Sequence, residues 1–131
     1  MGLFNGLFGR AKDETKKEEK QVPWRPLVSV HQLEEIVQKS NTRTQLIFKH
    51  STTCGISRMV LNTFNANYDF SEDHFDLYYL DLHSNREVSN ETSIKFQVLH
   101  QSPQLLVIRN GVAVAHNSHG GINAMDLNKY I

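Results

Sequence analysis

From about residue 30 onward the hydrophobic pattern switches repeatedly between the helical period and short apolar runs, and that alternation limits the chain to few folds. Ser29 and Gln32 have capping-box spacing, and Leu33, Ile36 and Val37 follow at helical intervals, which predicts a helix over 30–39. The run 44–49 (TQLIFK) is rich in β-branched and aromatic residues and reads as a buried strand. Ile56, Met59, Val60 and Phe64 then fall at i, i+3, i+4 and i+8, the apolar face of a helix over 55–67. A second strand is read at 75–82, a helix at 85–97 with Val88, Thr92 and Phe96 on one side, and a third strand at 104–109. Asn110-Gly111 is a strong hairpin signal because both residues accept positive φ, so 112–116 returns antiparallel. Gly120-Gly121 break the chain, and Asn123 is expected to cap a last helix holding Leu127, Tyr130 and Ile131. A strand–helix–strand unit requires parallel strands and a right-handed crossover. With the hairpin added, the economical solution is an α/β fold, a four-stranded mixed sheet with helices on both faces.

The preceding residues are different. Arg10 and the residues up to Gln21 are almost wholly charged or polar, so 1–26 is read as an N-terminal tail, mostly flexible and charged, and 27–131 as the domain. Leu3, Phe4, Leu7 and Phe8 have helix-like spacing, which suits either a weak docking element or a frayed end. Lysine plus arginine equals aspartate plus glutamate at 14 each, which gives no electrostatic case for nucleic acid or an anionic membrane. No apolar run approaches the roughly 18 residues of a membrane span, and the opening residues lack the marks of a secretory signal. One cysteine excludes an internal disulfide and fits a reducing, cytoplasmic setting. A monomer is expected.

The cysteine has a telling place. Cys54 falls between the 44–49 strand and the 55–67 helix, in His50-Ser51-Thr52-Thr53-Cys54-Gly55-Ile56-Ser57. Open α/β sheets gather ligands beyond the carboxyl ends of their strands. At a helix start, unpaired N–H groups and the positive end of the helix dipole favour an anion, hence a thiolate nucleophile. Ser57 stands three positions on, where a redox pair would place a second cysteine. A mixed disulfide on Cys54 must therefore be resolved by an outside thiol, and the Ser57 hydroxyl is expected to hydrogen-bond the thiolate. The alternative is an inert buried cysteine; flanking Thr53, Gly55 and Ser57 argue against apolar burial.

The element order is that of the thioredoxin fold, although other small α/β domains share part of it. The segments TCGIS, YYLDLHSNREVSN, HQSPQLLVIRNG and HNSHGG, in this order after a strand, resemble the monothiol bacilliredoxins, glutaredoxin-like proteins of bacteria that use bacillithiol. The similarity runs from about Val28 to Ile131. The resemblance implies a thioredoxin-like domain with Cys54 as nucleophile and Ser57 in place of a resolving cysteine. It also implies a cis bond at Ser102–Pro103 facing the thiol, and binding contributions from Thr53 and Gly55. Gly120 and Gly121 are similar to the glycine pair of glutaredoxins, whose backbone N–H groups hold a carboxylate of the low-molecular-weight thiol. Bacillithiol is then a co-substrate, bacillithiolated proteins are the partners, and no cofactor is tightly bound. The family's better-known motif is TCPIS, and Gly55 departs from it.

That departure approaches the CGFS of monothiol glutaredoxins, so an iron–sulfur cluster carrier is the rival reading. A third is a non-catalytic thioredoxin-fold adaptor. The histidines admit two further roles. His100, His116 and His119 with Cys54 could suggest zinc, but residues three apart on a strand face opposite sides, so no metal site is assigned. His50, at the end of the strand before the thiol, is either an imidazolium that tunes Cys54 or a solvated histidine.

Overall fold

The computed structural model describes residues 22–131. The expectations for the charged segment and for Leu3, Phe4, Leu7 and Phe8 lie outside the described residues. The described chain runs β1 (Trp24–Pro26), α1 (Val30–Lys39), β2 (Thr44–His50), α2 (Gly55–Asn67), β3 (Phe75–Asp81), α3 (Arg86–Phe96), β4 (Gln104–Arg109) and β5 (Val112–Ser118). Two 3₁₀ helices, His119–Ala124 and Leu127–Tyr130, complete it.

The strands form one five-stranded sheet in the order β1-β3-β2-β4-β5. β1, β3 and β2 are mutually parallel, and β4 and β5 are antiparallel additions. The expected four strands are thus corrected to five. The extra strand, Trp24–Pro26, comes from residues the sequence reading placed in the tail; Trp24 pairs with Leu77 of β3. Pro23 just before it and Pro26 at its end masked a strand at the sheet's edge, where a missing N–H is tolerated.

Local signals account for most boundaries. Ser29 and Gln32 close the capping box of α1, with Gln32 N–H donating to Ser29 Oγ and Ser29 N–H to Gln32 Oε1. Asn110 and Gly111 both have positive φ, 52° and 80°, as the tight β4–β5 hairpin requires. The last helix differs from expectation. Asn123 lies inside the first 3₁₀ helix rather than capping an α-helix, and Asp126 caps the second by accepting from Asn128 N–H.

Alternation along the strands gives the sheet two apolar faces. Leu46 and Phe48 pack with Val60, Phe64, Leu105 and Ile122 on the α2 side. Ile47 packs with Leu33, Ile36, Leu80, Val88 and Phe96 on the side of α1 and α3. The buried stripe of α2 is Ser57, Val60 and Phe64. Ile56 and Met59, expected in that stripe, stay 59% and 63% exposed, so the thiol end of α2 presents apolar side chains to solvent.

Candidate functional site

Because β2 and β3 are parallel, their carboxyl ends lie together, and the loops following them share one rim of the sheet. β4 starts at that same rim, since Lys49 pairs antiparallel with Gln104. The register places Pro103, one residue earlier, opposite His50, and Cys54 follows His50 by four residues. The Ser102–Pro103 bond is cis, as the resemblance implied.

Cys54 is the N-cap residue of α2, extended at φ −109° and ψ 122°, half-buried and free. Its N–H donates to the Ser51 carbonyl at 3.2 Å, closing a turn, and its carbonyl accepts the Arg58 N–H at 3.1 Å. Its side chain makes no capping hydrogen bond.

Ser57 is fully buried one turn below. Its Oγ accepts from Ser51 N–H at 3.1 Å and meets His50 Nδ1 at 2.7 Å. The serine expected to bond the thiolate is therefore committed first to the strand end and the loop. A hydroxyl accepts twice and donates once. If His50 carries its proton on Nδ1, Ser57 keeps its own hydrogen free; on Nε2, Ser57 spends it on His50. The tautomer thus decides what Ser57 can offer the sulfur.

His50 is not the expected imidazolium. It is 3% exposed, and burial, with Arg58 second, lowers its pKa against the opposing pull of Asp81. Below its ordinary pKa range an imidazole is neutral near pH 7, so His50 acts through hydrogen bonding to Ser57 rather than through charge. It is not a solvated strand-end residue either; its ring lies 5.6 Å from that of Tyr79.

The structure adds a histidine that the sequence reading missed. His83, just beyond β3, places Nε2 2.8 Å from Ser51 Oγ and 3.1 Å from Thr53 Oγ1. Arg58 Nη2 donates to the Thr52 carbonyl at 3.2 Å. The thiol loop is thereby held by the loop after β3, through His83, and by α2, through Arg58 and Ser57. Only the position after a parallel strand's carboxyl end could have flagged His83.

Gly55 and Gly120 have open space where a Cβ would stand, whereas a Cβ on Gly121 would collide with the Asn117 side chain. Gly120 and Gly121 sit at the start of the first 3₁₀ helix. They reach the site rim because the preceding residue, His119, donates its N–H to the Pro103 carbonyl at 3.0 Å. Among the described residues, no group of three or more His, Cys, Asp or Glu side chains converges as a metal site would require. No helix among them is long and apolar enough to cross a membrane. A cavity lined by Arg43, His74 and Arg109 lies at the opposite end of β2, away from this chemistry.

A half-buried cysteine on a pinned loop, at the rim of the sheet that also carries the cis-proline, can perform thiol–disulfide exchange with a partner that approaches along the rim. Comparison with known proteins agrees. Residues 25–127 match the family described as monothiol bacilliredoxin BrxC. A solved structure described as a candidate oxidoreductase with a thioredoxin fold is 31% identical, with a TM-score of 0.64, covering 80% of this chain and 90% of that one. Two thioredoxins share the fold at low identity. That of Fasciola hepatica is 16% identical with a TM-score of 0.65, covering 82% of this chain and 99% of its own. That of Malassezia sympodialis is 15% identical with a TM-score of 0.67, covering 85% and 93%.

Proposed function

Since the chain belongs to the monothiol bacilliredoxin family, we propose that it removes bacillithiol from protein mixed disulfides through Cys54. Family and fold support a thiol oxidoreductase role at the coarser level. The observation that carries the finer reading is the pairing of a half-buried Cys54 with a buried Ser57 at the position of a resolving thiol.

In the first step the Cys54 thiolate attacks the bacillithiol sulfur of the mixed disulfide. The old S–S bond breaks, and the freed protein thiolate takes a proton from solvent. Cys54 then holds bacillithiol as a new disulfide. With Ser57 unable to attack, a second bacillithiol thiolate attacks the bound bacillithiol sulfur, releasing bacillithiol disulfide and the Cys54 thiolate. The electrons balance: one disulfide is consumed and one formed in each step.

His83, Thr53 and Ser51 hold the loop that presents the sulfur, and Gly55 leaves the sulfur's flank open. Ser102–Pro103 forms the facing wall. Backbone N–H groups at Gly120 and Gly121 are proposed to receive a carboxylate of bacillithiol. The protein works in the cytoplasm as a monomer, with bacillithiol as co-substrate and no tightly bound cofactor.

The test is adduct transfer. Reduced protein is mixed with a bacillithiolated test protein and intact masses are recorded. The bacillithiol mass should move to the wild type and not to Cys54→Ser. Transfer to neither refutes the proposal, and a brown dimer after anaerobic iron and sulfide reconstitution would favour cluster carriage instead.

A further inference from the structure

Lys49 is 0% exposed, and no carboxylate is paired with it among the described residues. It lies on the face of β2 opposite the Cys54 helix. Its Nζ reaches the Ser89 carbonyl at 3.3 Å, Ser93 Oγ at 2.8 Å and His100 Nδ1 at 3.2 Å. An ammonium has three N–H donors, and here each has an acceptor. Burying an unpaired ammonium is costly, and an apolar side chain would suit the cluster of Ile47, Leu80 and Val88 on that face. What lysine supplies, and an apolar residue would not, is a tie between the end of β2, helix α3 and the segment that leads to the cis-proline.

That segment begins where Gln97 ends α3 in the left-handed conformation, at φ 56°. It is gripped at adjoining points. Lys49 holds His100, and Gln104, the cross-strand partner of Lys49, donates from Nε2 to the Leu99 carbonyl at 3.0 Å. Beyond these grips stand Ser102 and Pro103. The titratable groups around Lys49 are His100 itself and, acting on His100, Arg86 of α3; Ser89, Ser93 and Gln104 present neutral atoms.

We propose that Lys49 is a positioning residue for thiol exchange: its buried ammonium clamps His100 and thereby fixes the Ser102–Pro103 wall beside the Cys54 loop. The inference rests on the thiol-exchange reading above. It assigns the wall to the polypeptide part of the mixed disulfide, because a small disulfide can reach Cys54 without touching it.

The experiment compares wild type, Lys49→Met, His100→Ala and the double variant. The substrates are bis(2-hydroxyethyl) disulfide and one peptide prepared as its bacillithiol and as its glutathione mixed disulfide. Each single variant should lower the rate with the peptide disulfides about tenfold and leave the small disulfide within about twofold; the double variant should be no worse than either single one. In Lys49→Met the His100 ring resonances should also titrate at higher pH than in wild type, because a neighbouring cation is gone. Peptide rates within twofold of wild type, or losses that multiply in the double variant, overturn the proposal. Should Lys49→Met fail to fold, His100→Ala decides alone, since that side chain is on the exposed segment. Exchange with the glutathione peptide only would sink the bacillithiol reading while leaving the Lys49 comparison intact, and a wild type inert toward every disulfide would sink both.

Discussion

Replacing Ser57 by alanine should separate structure from chemistry at the thiol. The substitution removes one oxygen and two hydrogen bonds, one accepted from Ser51 N–H at 3.1 Å and one shared with His50 Nδ1 at 2.7 Å. Each stranded group costs ~1–3 kcal/mol when water cannot replace the partner. Ser51 is half-buried, so water relieves part of its loss; His50 is 3% exposed and receives little relief. A sum of about 2–3 kcal/mol follows, of which a tautomer change in His50 recovers nothing, since Nδ1 is stranded either as donor or as acceptor. For a body of this size that lowers Tm by roughly 10 °C. Urea unfolding followed by tryptophan fluorescence measures it directly, and His50→Ala in the Ser57→Ala background should cost much less than in wild type. A loss below about 0.5 kcal/mol, or two fully additive losses, would show that Ser57 and His50 do not act as a pair.

Two further outcomes follow from the same geometry. Gly55→Pro should raise stability by about 0.4–1 kcal/mol, because Gly55 is the first helical residue, its flank is open and Cys54 already has the extended conformation that a following proline requires; a lower urea midpoint would refute this. Burial lowers the Lys49 pKa from 10.5 to about 8, so between those pH values the unfolded chain binds the extra proton and stability rises with pH. The stability of wild type relative to Lys49→Met should therefore increase by about 3 kcal/mol from pH 7 to above pH 10, and a flat difference in urea midpoints would contradict it.

What the sequence made legible was whatever depends on residues close to one another. The α1 capping box, the Asn110-Gly111 hairpin and the strand-to-helix placement of Cys54 are local, and each stands where expected. The sheet's fifth strand was hidden because Trp24–Pro26 is stabilised from afar, by pairing with β3 and by the Trp24 ring against Phe48 and Phe64 at 5.8 and 5.7 Å. The site was half legible for the same reason. His50 and Ser57 could be singled out from their spacing to Cys54, but their bond to each other depends on a turn of helix returning beneath the strand end. His83 comes from a loop 30 residues from its partner Thr53, and no pattern in either segment announces the contact.

Lys49 and His50 show most sharply why polar residues defeat a linear reading. They are neighbours in a strand that is buried at every position. Strand alternation sends His50 toward α2 and the thiol, and Lys49 toward α3 and the cis-proline segment. A lysine at the end of an apolar run reads as a strand terminus reaching solvent, because lysine is rarely buried. Here the chain beyond the sheet folds back over both faces, so the same two positions become the back walls of one rim. Their side chains enter opposite layers, and each bonds a segment at the same rim, His100 for Lys49 and Ser57 for His50. On the proposed thiol-exchange role, Cys54 and Pro103 are aligned through adjacent residues of a single strand, and a change at either Lys49 or His50 should lower exchange with peptide disulfides.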